Sequence, residues 1–228
     1  MIRALVFDLD DTLYPEREFV LSGFAAVDAW LRNDQGITGF LEGASAEFDR
    51  GMRGDIFNRA LRGLGRPEDP QLIRQMVEVY RDHPPQIRLF PDAEWALDYF
   101  ARICPLALIT DGYLQVQQRK VAALVLAPRL AAVVYSDTFG RAGWKPSPLP
   151  YEQIIRELKC APSECAYVGD NSAKDFVTAR RLHWLTIRVR RPGGEHFAVQ
   201  LDRDHEADRE ISNLRELEPA LDKGRSNI

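Results

Sequence analysis

The stretch Ala4-Leu5-Val6-Phe7-Asp8-Leu9-Asp10-Asp11 constrains this 228-residue chain more than any other. An unbroken apolar run predicts a strand buried on both faces, here Ile2 to Phe7. Two carboxylates, Asp8 and Asp10, follow it one residue apart. A buried strand that ends in acids delivers them to the carboxyl edge of a sheet, which in open α/β sheets is where ligands bind. An Asp-x-Asp pair alone reads equally as a turn or a helix cap, so its meaning rests on partners elsewhere.

Three partners follow in order. Leu106-Ala107-Leu108-Ile109 is a second apolar run and ends in Thr110-Asp111-Gly112. Lys145 lies in Trp144-Lys145-Pro146. Cys165-Ala166-Tyr167-Val168 is a third run and ends in Gly169-Asp170, with Asp175 five residues beyond. An acid, a hydroxyl, a lysine and an acid thus fall at or near the ends of predicted strands. The chain has only five lysines against twenty-five arginines, which singles Lys145 out.

Residues 16–85 have a different character. Val20, Phe24, Val27 and Leu31 recur at helical spacing; Phe48, Met52, Ile56, Ala60 and Leu64 mark a second helix; Leu72, Ile73, Met76 and Tyr80 mark a third. An all-helical insertion of this length between two strands predicts a separate lobe. From Leu89 onward, predicted strands and helices alternate: Asp92 is placed to cap a helix, and helices near 114–124, 151–158 and 172–182 separate strands at 106–109, 132–135, 165–168 and 185–189. This alternation predicts an α/β, doubly wound, Rossmann-like parallel sheet. The polar loop 190–207, a short strand ending at Ile211, a last helix through Leu214, Leu217 and Leu221, and a frayed end at 224–228 complete the expectation.

Composition excludes several classes. Apolar residues make up 45% of the chain, enough for a real core, and a net charge of −4 points away from an acidic tail or a nucleic-acid binder. No apolar run approaches the roughly 18 residues of a membrane span. The chain enters its first strand without a charged-then-apolar signal pattern. Cys104, Cys160 and Cys165 form no Cys-x-x-Cys pair and read as reduced core residues, so a cytoplasmic location is expected.

The ordered set Asp8/Asp10, Thr110, Lys145 and Asp170/Asp175 resembles the haloacid dehalogenase (HAD) superfamily of aspartyl-phosphate enzymes. The resemblance implies a core domain of residues 1–15 and 86–228 and a helical cap domain of residues 16–85. It also implies roles. Asp8 is the nucleophile. Asp10 is the general acid that protonates the leaving alcohol and then the base that activates water, with its carbonyl on the metal. Thr110 and the backbone N–H groups of Leu9, Asp111 and Gly112 hold the phosphate. Lys145 adds positive charge. Asp170 is a metal ligand, and Asp175 is either a second, water-mediated ligand or the residue that orients Lys145. Asp11 reads as a turn former.

Clustered carboxylates about 4 Å apart repel by ~4 kcal/mol per pair at an effective dielectric of 20. An oxygen-only set of this kind suits a hard cation, and Mg²⁺ is the expected cofactor beside a phosphate. Dehalogenases of the superfamily lack an acid at the position of Asp10, because halide leaves without a proton. Asp10 therefore points to phosphate-ester hydrolysis, with phosphomutase or phosphotransferase chemistry, or a phospho-aspartate signalling or binding module, as alternatives. A capped site implies a small phosphorylated metabolite: a sugar phosphate, a nucleoside monophosphate or a phospho-acid. Arg50, Arg53 and Arg59 read as a solvated helix face or as residues near the mouth, and Tyr14 and Tyr113 as mouth or core. Arg188, Arg190 and Arg191 read as a solvated strand end or an anion-steering cluster. The sequence leaves the oligomeric state open.

Overall fold

The apolar runs pair into one parallel sheet in the computed structural model, which describes residues 2–222; the expected fraying at 224–228 lies outside the described residues. The strands are β1 (Ala4–Phe7), β2 (Leu106–Thr110), β3 (Ala132–Tyr135), β4 (Cys165–Gly169), β5 (Leu185–Val189) and β6 (Arg209–Ile211). Their order is β3-β2-β1-β4-β5-β6, so β1 lies between β2 and β4. Phe7 is level with Leu108 on one side and Val168 on the other. The central strands β1, β2 and β4 are buried at every position, which is why they read as continuous apolar runs. The edge strand β3 alternates buried and half-buried residues.

The chain leaves β1 toward β2 and β3, then returns to lay β4, β5 and β6 on the other side. This reversal puts a crevice beside the carboxyl end of β1. Val6, Ile109, Val134, Tyr151, Tyr167 and Trp184 belong to one core cluster.

The described residues divide into two compact units, residues 2–16 with 88–222 and residues 17–87. Four helices make up the second: α1 (Glu16–Gln35), whose first residue belongs to the other unit, α2 (Phe40–Asp49), α3 (Ile56–Gly63) and α4 (Pro70–Asp82). Phe24 is the hub of its core, with edge-on contacts to Phe40, Phe48 and Phe57 at ring separations of 6.1–6.4 Å. Here the structure corrects the sequence reading. The single helix expected from Phe48 to Leu64 is two, because Gly51 takes a left-handed backbone (φ 85°) just after α2. Phe48 and Met52 still pack on the cluster that buries Ile56 and Ala60, so the apolar spacing runs on across the break. Arg50 pairs with Glu47, Arg53 lies over the Phe48 ring, and Arg59 pairs with Asp55, as exposed side chains of this unit.

The first unit adds α5 (Pro91–Phe100), α6 (Leu114–Ala123), α7 (Leu149–Leu158), α8 (Phe176–Arg181) and α9 (Leu217–Leu221). Asp92 does not cap α5. Pro91 occupies the first helical position and puts Asp92 inside the first turn, where it accepts from the Arg191 guanidinium at 2.8 Å and the Leu214 N–H at 2.7 Å. The helix expected from Ser172 starts only at Phe176, because Asn171 to Asp175 form a side-chain-bonded turn: Asn171 Oδ1 accepts from Ala173 N–H at 3.0 Å. Among the described residues no helix is long and apolar enough to cross a membrane.

Candidate active site

Three adjacent strands end at one place. β1 delivers Asp8, β2 delivers Thr110 and Asp111, and β4 delivers Gly169 and Asp170. Asp8 stays in the ladder, donating its N–H to Val168 O at 2.8 Å. The chain then turns sharply. Asp11 adopts φ 52° and accepts the N–H groups of Glu16 and Glu195, a turn-forming role as its position suggested.

Asp8, Asp10, Asp111, Gly112 and Asp170 line one cleft of about 200 Å³. Lys145 and Asp175 are buried against it. The Lys145 ammonium donates to Asp8 Oδ1, to Asp175 Oδ1 at 2.8 Å and to the Tyr167 hydroxyl at 2.9 Å. Asp175 uses its other oxygen to accept the Asn171 N–H at 3.0 Å. Gly169 makes room for this: a Cβ there would lie 2.4 Å from Asp175 Oδ2. Gly112 combines φ 131° with the same crowding, its missing Cβ falling 2.4 Å from Gln117 Nε2.

Besides Lys145 and Asp175, two more of the expected residues do not line the cleft. Leu9 is fully buried, and its carbonyl accepts the Leu13 N–H at 2.9 Å. Thr110 donates its hydroxyl to Gln117 Oε1 at 2.8 Å, so that Gln117, not Thr110, reaches the cleft wall.

Oxygens of Asp8, Asp170 and Asp175 lie within 4.8 Å of one another. One buried lysine does not balance them. Burial, reinforced by Asp175, raises the Asp8 carboxyl to about 6 even against Lys145. Burial and then Asp8 push Asp170 well above its usual value. The Lys145 ammonium, though burial disfavours it, is held well above its ordinary pKa by Asp175 and Asp8. Buried, hard oxygen donors with surplus negative charge are what a divalent cation requires, so the residues fit a metal site.

Asp10 is in a different environment. Burial disfavours its ionised form, but Lys120 outweighs this, and the carboxyl sits below its usual value. Lys120 Nζ lies 2.7 Å from Asp10 Oδ1, and the Tyr14 hydroxyl donates to the same oxygen. Tyr14 is therefore a core residue with a polar duty, whereas Tyr113 is exposed. Lys174 also lines the cleft, 3.4 Å from Asp111 Oδ2. Sequence reasoning missed Lys120, Lys174, Gln117 and Tyr167. The lysines were open to detection: three of the chain's five surround this cleft.

The basic cluster at the end of β5 is not a solvated strand end. Arg188 is 1% exposed and donates to the carbonyls of Asp170 at 3.1 Å and His196 at 2.8 Å. Arg191, also buried, holds the Thr12 carbonyl at 2.9 Å. Both are spent on bracing the loops behind the site, and only Arg190 keeps partial exposure, paired with Glu210 at 3.1 Å.

Comparison with known proteins agrees with this geometry. A family model described as haloacid dehalogenase-like hydrolase matches residues 2–183. The glyceraldehyde 3-phosphate phosphatase of Methanopyrus kandleri is 29% identical, over 95% of this chain and 96% of that protein. The phosphoserine phosphatase of Thermus thermophilus is 30% identical, over 82% of this chain and 74% of that protein. A solved 2-haloacid dehalogenase from Pseudomonas syringae superposes with a TM-score of 0.66 at 28% identity, covering 97% of this chain and 98% of the other. With the family model spanning most of its length, this chain is an enzyme of the haloacid dehalogenase-like hydrolase family.

Proposed function

We propose that this enzyme is a magnesium-dependent phosphatase of small phosphate monoesters, working through a phosphoryl group carried on Asp8. The observation that carries the reading is the second carboxylate, Asp10, which lines the same cleft as Asp8. A halide leaves unaided, whereas an alkoxide needs a proton, and Asp10 is the group placed to give it. Both phosphatase relatives point the same way, and the esters in their names are three-carbon compounds. A cleft of about 200 Å³ suits a substrate of that size.

An Asp8 oxygen attacks phosphorus, and the ester P–O bond breaks with its electron pair going to the alcohol oxygen, which takes the Asp10 proton. Asp10 then takes a proton from water as the water attacks phosphorus, and the bond to Asp8 breaks to release phosphate. In the free protein Lys120 favours ionised Asp10; the charge of an arriving phosphate raises its proton affinity. Asp8, Asp170 and the Asp10 carbonyl would hold Mg²⁺, whose charge lets a carboxylate meet a phosphate dianion. Asp175, with both oxygens engaged, orients Lys145. The N–H groups of Leu9, Asp111 and Gly112, and the Thr110 hydroxyl once it leaves Gln117, hold the phosphate oxygens. The helical unit serves as the cap that the family resemblance implies.

A set of phosphorylated metabolites, weighted to three-carbon esters and assayed for released phosphate with Mg²⁺ and with chelator, tests the reading. Release that requires both Mg²⁺ and Asp8 supports it. Phosphate appearing on an added sugar instead of in solution would replace hydrolysis by transfer, and no turnover of any ester would overturn the proposal.

A further inference from the structure

Asp10 lies beyond the end of β1, in a turn, yet general acid chemistry tolerates little misplacement: an error of about 1 Å can cost ~10²-fold in rate. Something must fix its carboxylate. Two side chains from different places do so. Lys120 comes from α6, where it is 3% exposed, and ends 2.7 Å from Asp10 Oδ1. Tyr14, with no exposed surface, returns from four residues downstream and donates its hydroxyl to the same oxygen. The Lys120 ammonium lies 5.8 Å from the centre of the Tyr14 ring, so the two donors also support each other. The Asp10 side chain keeps 23% exposure, on the cleft.

A buried lysine is costly unless it is paired and hydrogen-bonded. This one sits against the carboxylate that the chemistry requires to be aimed, not against the surplus acids that Lys145 serves. It also shares α6 with Gln117, which holds Thr110, so one helix face reaches two motif residues. We propose that Lys120 and Tyr14 are positioning residues that clamp one oxygen of Asp10 and so aim its other oxygen at the leaving group. This rests on the phosphatase reading above. It adds that protonation of the leaving alcohol depends on two residues outside the recognised motifs.

The test separates aiming from folding by varying the leaving group. An aryl phosphate such as p-nitrophenyl phosphate departs as a stable phenolate and needs little protonation; an alkyl phosphate such as glycerol phosphate needs it fully. The ratio of kcat/KM values reports the step in which the ester bond breaks. For Lys120→Met the expected loss is ~10²-fold or more on the alkyl ester and less than about tenfold on the aryl ester. The aryl ester should also show a burst of nitrophenol, because Asp10 is then poorly aimed at water as well. Tyr14→Phe removes one oxygen atom and should show the same split at smaller size; it decides the matter if Lys120→Met does not fold. Equal losses on both esters, or no loss on either, would overturn the clamp while leaving the phosphatase reading intact. A wild-type protein that turns over neither ester would overturn that reading and this inference with it.

Discussion

The Lys145 ammonium and the Asp175 carboxylate form an ion pair 2.8 Å long in which neither side chain has exposed surface. The same nitrogen also holds Asp8, the residue assigned as nucleophile. Structural support and chemical role therefore meet in one buried cation. Lys145→Met would leave three acids within 4.8 Å of one another without the buried cation that bonds two of them. Removing one member of a buried pair costs about 3–5 kcal/mol. Urea unfolding in chelator should show a loss of this order, with part recovered on adding Mg²⁺; an unchanged midpoint would mean that the acids do not depend on Lys145.

Asp8→Asn keeps the shape of the side chain and removes the proposed nucleophile. Phosphate release should fall by about 10⁴-fold or more, as for other nucleophile deletions. The variant should also melt higher than wild type at pH 8 in chelator, since an amide avoids the cost of burying a charge which, reinforced by Asp175, raises Asp8 to about 6. Activity near the wild-type level would end the assignment of Asp8.

Glu16, at the cleft, is raised to about 7 by burial, with Asp10 adding to it. Its ionisation is disfavoured in the folded state, so the folded protein binds more protons than the unfolded chain between the usual carboxylate range and pH 7. Stability should therefore fall as pH rises through that window. Glu16→Gln removes the effect: melting temperatures of wild type and variant should agree near pH 4 and separate by pH 8, with the variant higher. Parallel curves at all pH values would show that Glu16 titrates normally.

Gly169→Ala introduces a methyl group 2.4 Å from Asp175 Oδ2 and should push that carboxylate off Asn171 and Lys145. Disturbing a residue that supports the partners of proposed metal ligands commonly costs about 10–100-fold. Mg²⁺ titration of the activity should show a loss in that range, in affinity or in rate, with the overall fold retained by circular dichroism.

The strands and the acids at their ends were legible along the chain. A strand buried on both faces must be apolar throughout, and an acid that follows it has only the sheet edge to occupy, so β1, β2, β4 and β5 could be read with Asp8, Asp10, Asp111 and Asp170 attached to them. What surrounds those acids was not legible. Lys145 was named with the acids, but the Lys120–Asp10 pair joins residues 110 positions apart, and Lys174 reaches Asp111 from another strand's end. Long flexible side chains leave no periodic trace of where they end. For the same reason Arg188 and Arg191 read as solvated although they are buried, and a helix spanning Gly51 looked continuous because the apolar spacing on either side of the turn serves one shared core. Local sequence, through hydrophobic periodicity, determined which backbone elements form and which carboxylates they carry. Only the packing of distant segments decided which cations pair with those carboxylates, because that choice is made by desolvation and proximity in three dimensions.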